Sequence, residues 1–226
     1  SIYNESFYLG RVSVQYKDIY RVVTEEGEVL ARVSGKLSYS SNSTLDYPVV
    51  GDWVLLDRTD NKNGDAIIHK VLTRKSYFSR KIAGTRYDTQ VVAANIDYIF
   101  ICMALNNDFN INRLERYIAV AWDSMAIPVI VLTKSDLCED IDERLREVKE
   151  AAIGIDILVT SSLNGNGYEK VKEYIKSGTT IAFIGSSGVG KSTLINKLLN
   201  KEVLKTNSIS ENDKGRHTTT HRELFL

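Results

Sequence analysis

Cysteine, proline and tryptophan are scarce in this chain of 226 residues, with two of each, and there are only three histidines. Cys102 lies in an apolar run and Cys138 follows Asp136. Two thiols so placed exclude a disulfide framework and match no metal-binding spacing, so a reduced, cytosolic protein is expected. His217 and His221 stand four apart, the spacing of half a metal site, but neither cysteine nor further histidine lies nearby and zinc is not expected there. Charge of one sign is also missing, since 29 Lys and Arg balance 29 Asp and Glu. Net charge therefore points to no partner, and a nucleic-acid contact needs a local basic patch. No apolar run approaches the roughly 20 residues of a membrane span. Residues 1–5 lack both an initiating Met and the pattern of a signal peptide, which fits the edge of a longer chain. A hydrophobic content of 43% is what a globular core requires.

What is present changes character along the chain. Residues 9–14, 19–23, 29–33, 51–56 and 66–72 read as short strands, separated by turn signals such as Glu25-Glu26-Gly27-Glu28. Five strands without a helix predict a small barrel over 1–72, for which an OB-fold is the natural candidate. Residues 73–92 read as a polar connector. From residue 70 to 86 six bases and no acid occur, namely Lys70, Arg74, Lys75, Arg80, Lys81 and Arg86, with Tyr77 and Phe78 among them. From 93 to 226 buried strands alternate with amphipathic helices. Strands are expected at 96–103, 127–132, 155–160 and 179–184, and helices at 112–125, 141–153, 168–177 and 191–200, which argues for a parallel sheet wrapped by helices.

Two motifs carry the chemistry. Gly185-Ser186-Ser187-Gly188-Val189-Gly190-Lys191-Ser192 matches the phosphate-binding loop G-x-x-x-x-G-K-[ST] residue for residue and lies between a predicted strand and a predicted helix. Its glycines let backbone N–H groups turn inward, the helix start adds positive potential, Lys191 reaches the β- and γ-phosphates, and Ser192 offers its hydroxyl to Mg²⁺ with Thr193 beside it. Upstream, Thr133-Lys134-Ser135-Asp136 ends a buried strand. The Asp136 carboxylate can accept both guanine N1–H and the exocyclic amine, which adenine cannot supply as a pair. Lys134 can lay its stem over the base, and the Thr133 hydroxyl can tie this loop to the phosphate loop. Thr160-Ser161-Ser162 ends the next strand, where the Ser162 N–H can meet guanine O6. Residues 206–222 are polar and expected to be mobile. A hydroxyl there, Thr218 or Thr219, can complete Mg²⁺ coordination and make the segment a switch.

With the guanine-reading motif ahead of the phosphate loop, the chain resembles the circularly permuted GTPases. Within them it is similar to the ribosome small subunit-dependent GTPase A family, along essentially its whole length, through Gly215-Arg216-His217-Thr218-Thr219-Thr220 and Asp108-Phe109-Asn110-Ile111-Asn112-Arg113-Leu114. The resemblance implies an OB-like barrel followed by an α/β phosphate-loop GTPase domain of permuted motif order, using GTP, GDP and Mg²⁺. It implies a cytoplasmic factor, expected as a monomer and off the membrane, acting late in maturation of the small ribosomal subunit and touching its rRNA. Lys70, Arg74, Lys75, Arg80, Lys81 and Arg86 could then meet phosphates and Tyr77 stack on a base; equally, the segment could be a solvated linker with an aromatic anchor. His217 is the candidate to position the attacking water. The family's Asp-x-Pro-Gly loop and its C-terminal zinc module fall beyond Leu226. A shortened chain is therefore expected, with zinc only in that further region. The alternative is an RNA-binding module that responds to nucleotide with negligible hydrolysis.

Overall fold

The computed structural model describes residues 6–41, 43–81, 89–204 and 223–225. They fall into two compact units, Ser1–Ile96 with Thr219–Leu226, and Asp97–Thr218.

In the first unit β1 (Tyr8–Gln15), β2 (Tyr20–Thr24), β3 (Gly27–Val33), β4 (Trp53–Leu56) and β5 (Ala66–Val71) close a barrel in the order β1-β2-β3-β5-β4. Antiparallel pairing of β1 with β4 shuts it, and β3 runs parallel to β5. This is the five-stranded closure of an OB-fold. Alternation along the strands sends Val12, Val22, Ala31, Leu56 and Ile68 into a common core, and on β1 a bulge between Val12 and Val14 leaves Ser13 buried as well. A helix, α1 (Gly35–Ser40), stands between β3 and β4, where no helix was expected. Six residues are too few to show a helical period; the Ser34 hydroxyl caps the helix by accepting the Leu37 N–H at 3.1 Å, and Leu37 packs on the barrel core.

The stretch expected to be a polar connector holds β6 (Tyr77–Lys81) and most of β7 (Thr89–Ala94), paired antiparallel. Buried Val91 and Ala94 join Val49 in a small apolar cluster, a pattern too short to stand out beside six basic residues. Arg74 departs from its expected role as a phosphate contact. Its guanidinium donates to both carboxylate oxygens of Asp52 at 2.8 and 2.7 Å and to the carbonyls of Leu45 and Tyr47. The Asp52 side chain is wholly buried and that of Arg74 is 13% exposed. Asp52 Oδ2 also accepts the Val49 N–H at 2.8 Å. Arg74 is thus an internal pin, because a buried carboxylate must be paired.

The second unit runs β8 (Tyr98–Ala104), α2 (Ile111–Asp123), β9 (Ile127–Thr133), α3 (Ile141–Ala151), β10 (Asp156–Val159), α4 (Tyr168–Lys172), β11 (Ile181–Ile184) and α5 (Lys191–Leu199). The described strands form one parallel sheet in the order β10-β9-β8-β11. β8 and β9 are buried on both faces apart from their first residues, which is why they read as unbroken apolar runs. Phe100 meets the rings of Tyr174 and Phe183 edge-on at 5.5 and 5.3 Å. Asn110 starts α2 by accepting the Arg113 N–H at 2.9 Å, and Asp140 starts α3 by accepting that of Glu143 at 3.0 Å. Because all four strands point one way, the loops after β8, β9, β10 and β11 gather at one end of the sheet, where α/β folds bind ligands.

Candidate nucleotide site

The phosphate loop leaves β11 at Gly185 and enters α5 at Lys191. Gly185 has φ of 145°, and a Cβ there would stand 2.4 Å from the Cys102 carbonyl oxygen, so only glycine lets the loop pass β8 this closely. Gly190, at φ 99°, makes the left-handed turn that opens α5. Ser187 and Gly188 are exposed at the crown of the loop, Val189 is buried beneath it, and Ser192 and Thr193 lie in the first turn of α5. Lys191 Nζ folds back to donate to the carbonyls of Gly185 and Ser186 at 2.8 and 2.6 Å. Burial holds its ammonium below the ordinary lysine value of 10.5, since the charge is partly stripped of water. Burial also pushes the neighbouring Cys102 thiol up to about 12, so it stays protonated.

The base-reading loop is fastened to this one. Thr133, last residue of β9, donates from Oγ1 to the Val189 carbonyl at 2.5 Å, and both residues are buried. The tie between the two loops that the sequence suggested is therefore present. Lys134 takes a left-handed backbone, φ 56°, and turns the chain into a short 3₁₀ helix, Ser135–Leu137. Asp136 is exposed, but its carboxylate is not loose. Oδ1 accepts the hydroxyl of buried Ser161, from the loop after β10, at 2.5 Å. Ser162 carries its carbonyl on Lys197 Nζ at 2.5 Å, and that ammonium sits 4.9 Å from the centre of the Tyr168 ring. Three loops are so joined: Thr133 to the phosphate loop, Asp136 to Ser161, and Ser162 to α5.

The residues fit a guanine nucleotide with Mg²⁺. Left-handed glycines in the loop, Gly188 at φ 75° and Gly190 at φ 99°, a lysine beside them, and an exposed carboxylate oriented by a hydroxyl are the set that such a ligand needs. Among the described residues Ser192 is the candidate to hold the metal ion; Thr218, Thr219 and His217 lie outside them, as does Arg86. The expected RNA-facing residues separate differently. Lys70, Lys75 and Tyr77 are exposed in the first unit, and Arg80 and Lys81 close β6. Two contributors were missed by sequence reasoning. One is Arg113, whose Nη1 lies 2.5 Å from Ser186 Oγ. The signal for it was there: a capping Asn110 three residues ahead, at the ligand-binding end of β8. The other is Lys197, whose role depends on a loop 35 residues away.

A phosphate loop after β11 and a base-reading loop after β9, at the same end of one parallel sheet and in inverted chain order, with a closed barrel earlier in the chain, define a circularly permuted GTPase fold. The sequence model of the RsgA GTPase family matches residues 71–226, and the chain belongs to that family. It is 49% identical over 218 residues to small ribosomal subunit biogenesis GTPase RsgA 2 of Lactiplantibacillus plantarum, covering 96% of this chain and 61% of the relative. It is 44% identical to the Listeria monocytogenes protein of the same name, covering 96% and 60%. The chain thus spans about three-fifths of the length of these curated relatives. Among solved structures, YjeQ from Thermotoga maritima superposes with a TM-score of 0.69 at 28% identity, covering 85% of this chain and 65% of that one. YloQ, described as a circularly permuted GTPase, does so with a TM-score of 0.63 at 22% identity, over 87% and 66%.

Proposed function

We infer that this chain binds GTP and GDP with Mg²⁺, hydrolyses GTP, and serves maturation of the small ribosomal subunit. The observation that carries the reading is the bond from the Thr133 hydroxyl to the Val189 carbonyl, which joins base recognition to phosphate recognition in one site. Asp136, oriented by Ser161, selects guanine; Lys191 and the loop N–H groups bind the phosphates; Ser192 holds Mg²⁺. When bound, the ion neutralises charge on the phosphate oxygens. Thr218 or Thr219 completes its coordination and His217 positions the attacking water. The relatives' names place them in small-subunit biogenesis, and the first unit supplies surface suited to rRNA. Exposed Lys70, Lys75 and Tyr77 form one set, to which the sequence adds Arg80, Lys81 and Arg86 as further candidates. Half-exposed Phe7, Tyr8 and Trp53 on the barrel, with the Arg11 guanidinium 5.2 Å from the Trp53 ring centre, form another. No helix among the described residues is long and apolar enough to cross a membrane.

Calorimetric titration with GTP, GDP and ATP in Mg²⁺ tests the first step. Both guanine nucleotides should bind and ATP should not; equal affinity for ATP would remove the base-reading role of Asp136. Turnover measured with and without small ribosomal subunits tests the second. Acceleration by the subunits is expected, and an unchanged rate would leave only nucleotide binding.

A further inference from the structure

Ser186 is held from two sides by cations. Lys191 Nζ donates to the Ser186 carbonyl at 2.6 Å and to that of Gly185 at 2.8 Å. An ammonium has three N–H donors, so a phosphate entering the loop can take the third while the two carbonyls keep theirs. Arg113 takes the other side of Ser186, with Nη1 2.5 Å from Oγ. That contact uses no backbone atom of the loop and does not compete with Lys191 for an acceptor.

The guanidinium is fixed before any ligand arrives. Nη1 and Nη2 donate to the Asp108 carboxylate at 3.1–3.2 Å, and Nη2 also donates to the Asp108 carbonyl at 3.1 Å. Its side chain is 23% exposed. Asn110 holds the backbone N–H of the same residue. An arginine so anchored has already lost its rotamer freedom, so its grip on the loop carries little further entropic cost at binding.

We propose that Arg113 is a positioning residue of the nucleotide site: through the Ser186 hydroxyl it holds the first half of the phosphate loop in the shape that phosphate binding needs. The inference rests on the phosphate-loop reading above. It differs from that reading in naming a residue outside the loop, on α2, on which the loop's shape depends.

The test is GDP and GTP titration, in Mg²⁺, of the full chain and its variants Ser186→Ala, Arg113→Ala, Arg113→Lys and the double variants, with Lys191→Ala as reference. Ser186→Ala should weaken binding about tenfold, the scale of a hydrogen bond to a charged group, with no change in thermal midpoint. Arg113→Ala should lose at least as much, Arg113→Lys should recover part of it, and adding Ser186→Ala to either should cost nothing more. If Arg113→Ala does not fold, the cycle through Arg113→Lys decides. Losses that multiply in the double variants, or Ser186→Ala that binds as wild type, overturn the proposal while leaving the phosphate loop standing. Wild-type chain that binds no guanine nucleotide, or Lys191→Ala that binds as well as wild type, overturns both.

Discussion

In the barrel, β2 to β5 turn successive residues alternately toward the core and toward water, and only β1, bulged between Val12 and Val14, buries three in succession, so much of the barrel's outer face is available to a partner. In the parallel sheet, β8 and β9 are covered on both faces and nothing along their length is available. Chemistry in the second unit is therefore confined to loops at strand ends, where chain spacing and function coincide. In the first it can be spread over a surface, with members such as Phe7 and Trp53 that are 46 positions apart in sequence and share no motif. The polar groups differ in the same sense. The barrel buries a complete ion pair, Arg74 with Asp52, whose oxygens are all engaged internally. The proposed nucleotide site holds an exposed carboxylate, Asp136, with one oxygen on the Ser161 hydroxyl, and a lysine with two of its three donors on loop carbonyls. One arrangement is saturated from within and the other keeps polar capacity at its surface.

Substitutions that act on one unit and spare the other would sharpen this contrast; effects that cross over would break it. The largest is expected from Lys191→Ala, which should lower GTP affinity about a thousandfold by calorimetry, through loss of charge-assisted bonds to phosphate, and leave barrel stability unchanged. Arg74→Ala should do the reverse. Leaving the Asp52 carboxylate buried and unpaired should cost about 3 kcal/mol in denaturant unfolding, with GTP affinity within about twofold of wild type. Asp136→Asn should weaken GTP by about thirtyfold, as guanine donors lose their acceptor, and should improve binding of xanthosine triphosphate. Thr133→Val, which removes the donor to Val189 without changing side-chain volume much, should cost about 1 kcal/mol of GTP affinity, and a value near zero would show that the two loops bind independently. The smallest effect is on pH. Burial lowers the Lys191 pKa in the free chain, whereas phosphate in the complex favours its charged form. Affinity should hold near neutral pH and fall as pH rises through the alkaline range, beginning below 10.5, because binding then requires uptake of a proton.

The legible parts of the molecule are those where local sequence dictates local structure. Gly185, Gly188 and Gly190 with Lys191 announce the loop because no other residue types satisfy its backbone, and the barrel strands show their period of two. The strands of the sheet were visible as apolar runs, to within two residues at their ends. What was not legible depends on partners distant in the chain. Arg74 looks like one more base in a basic run until Asp52, 22 residues earlier, is seen to need it. Arg113 looks like a surface residue of a helix until Ser186, 73 residues later, arrives beside it. The β6–β7 pair was hidden because its strands are short and its outward residues charged, so composition suggested a connector. α1 was hidden because one and a half turns display no face.

Lys134 carries a further consequence. Its left-handed backbone, φ 56°, is a conformation that costs a non-glycine residue roughly 1–2 kcal/mol. Glycine would relieve that cost and raise the stability of the free chain, yet it would strip the aliphatic stem that can cover a base. If Lys134 covers the base as proposed, thermostability and ligand recognition are set against each other at this position, and a search for hardier variants of the protein would be drawn to a substitution that blunts the reading of guanine.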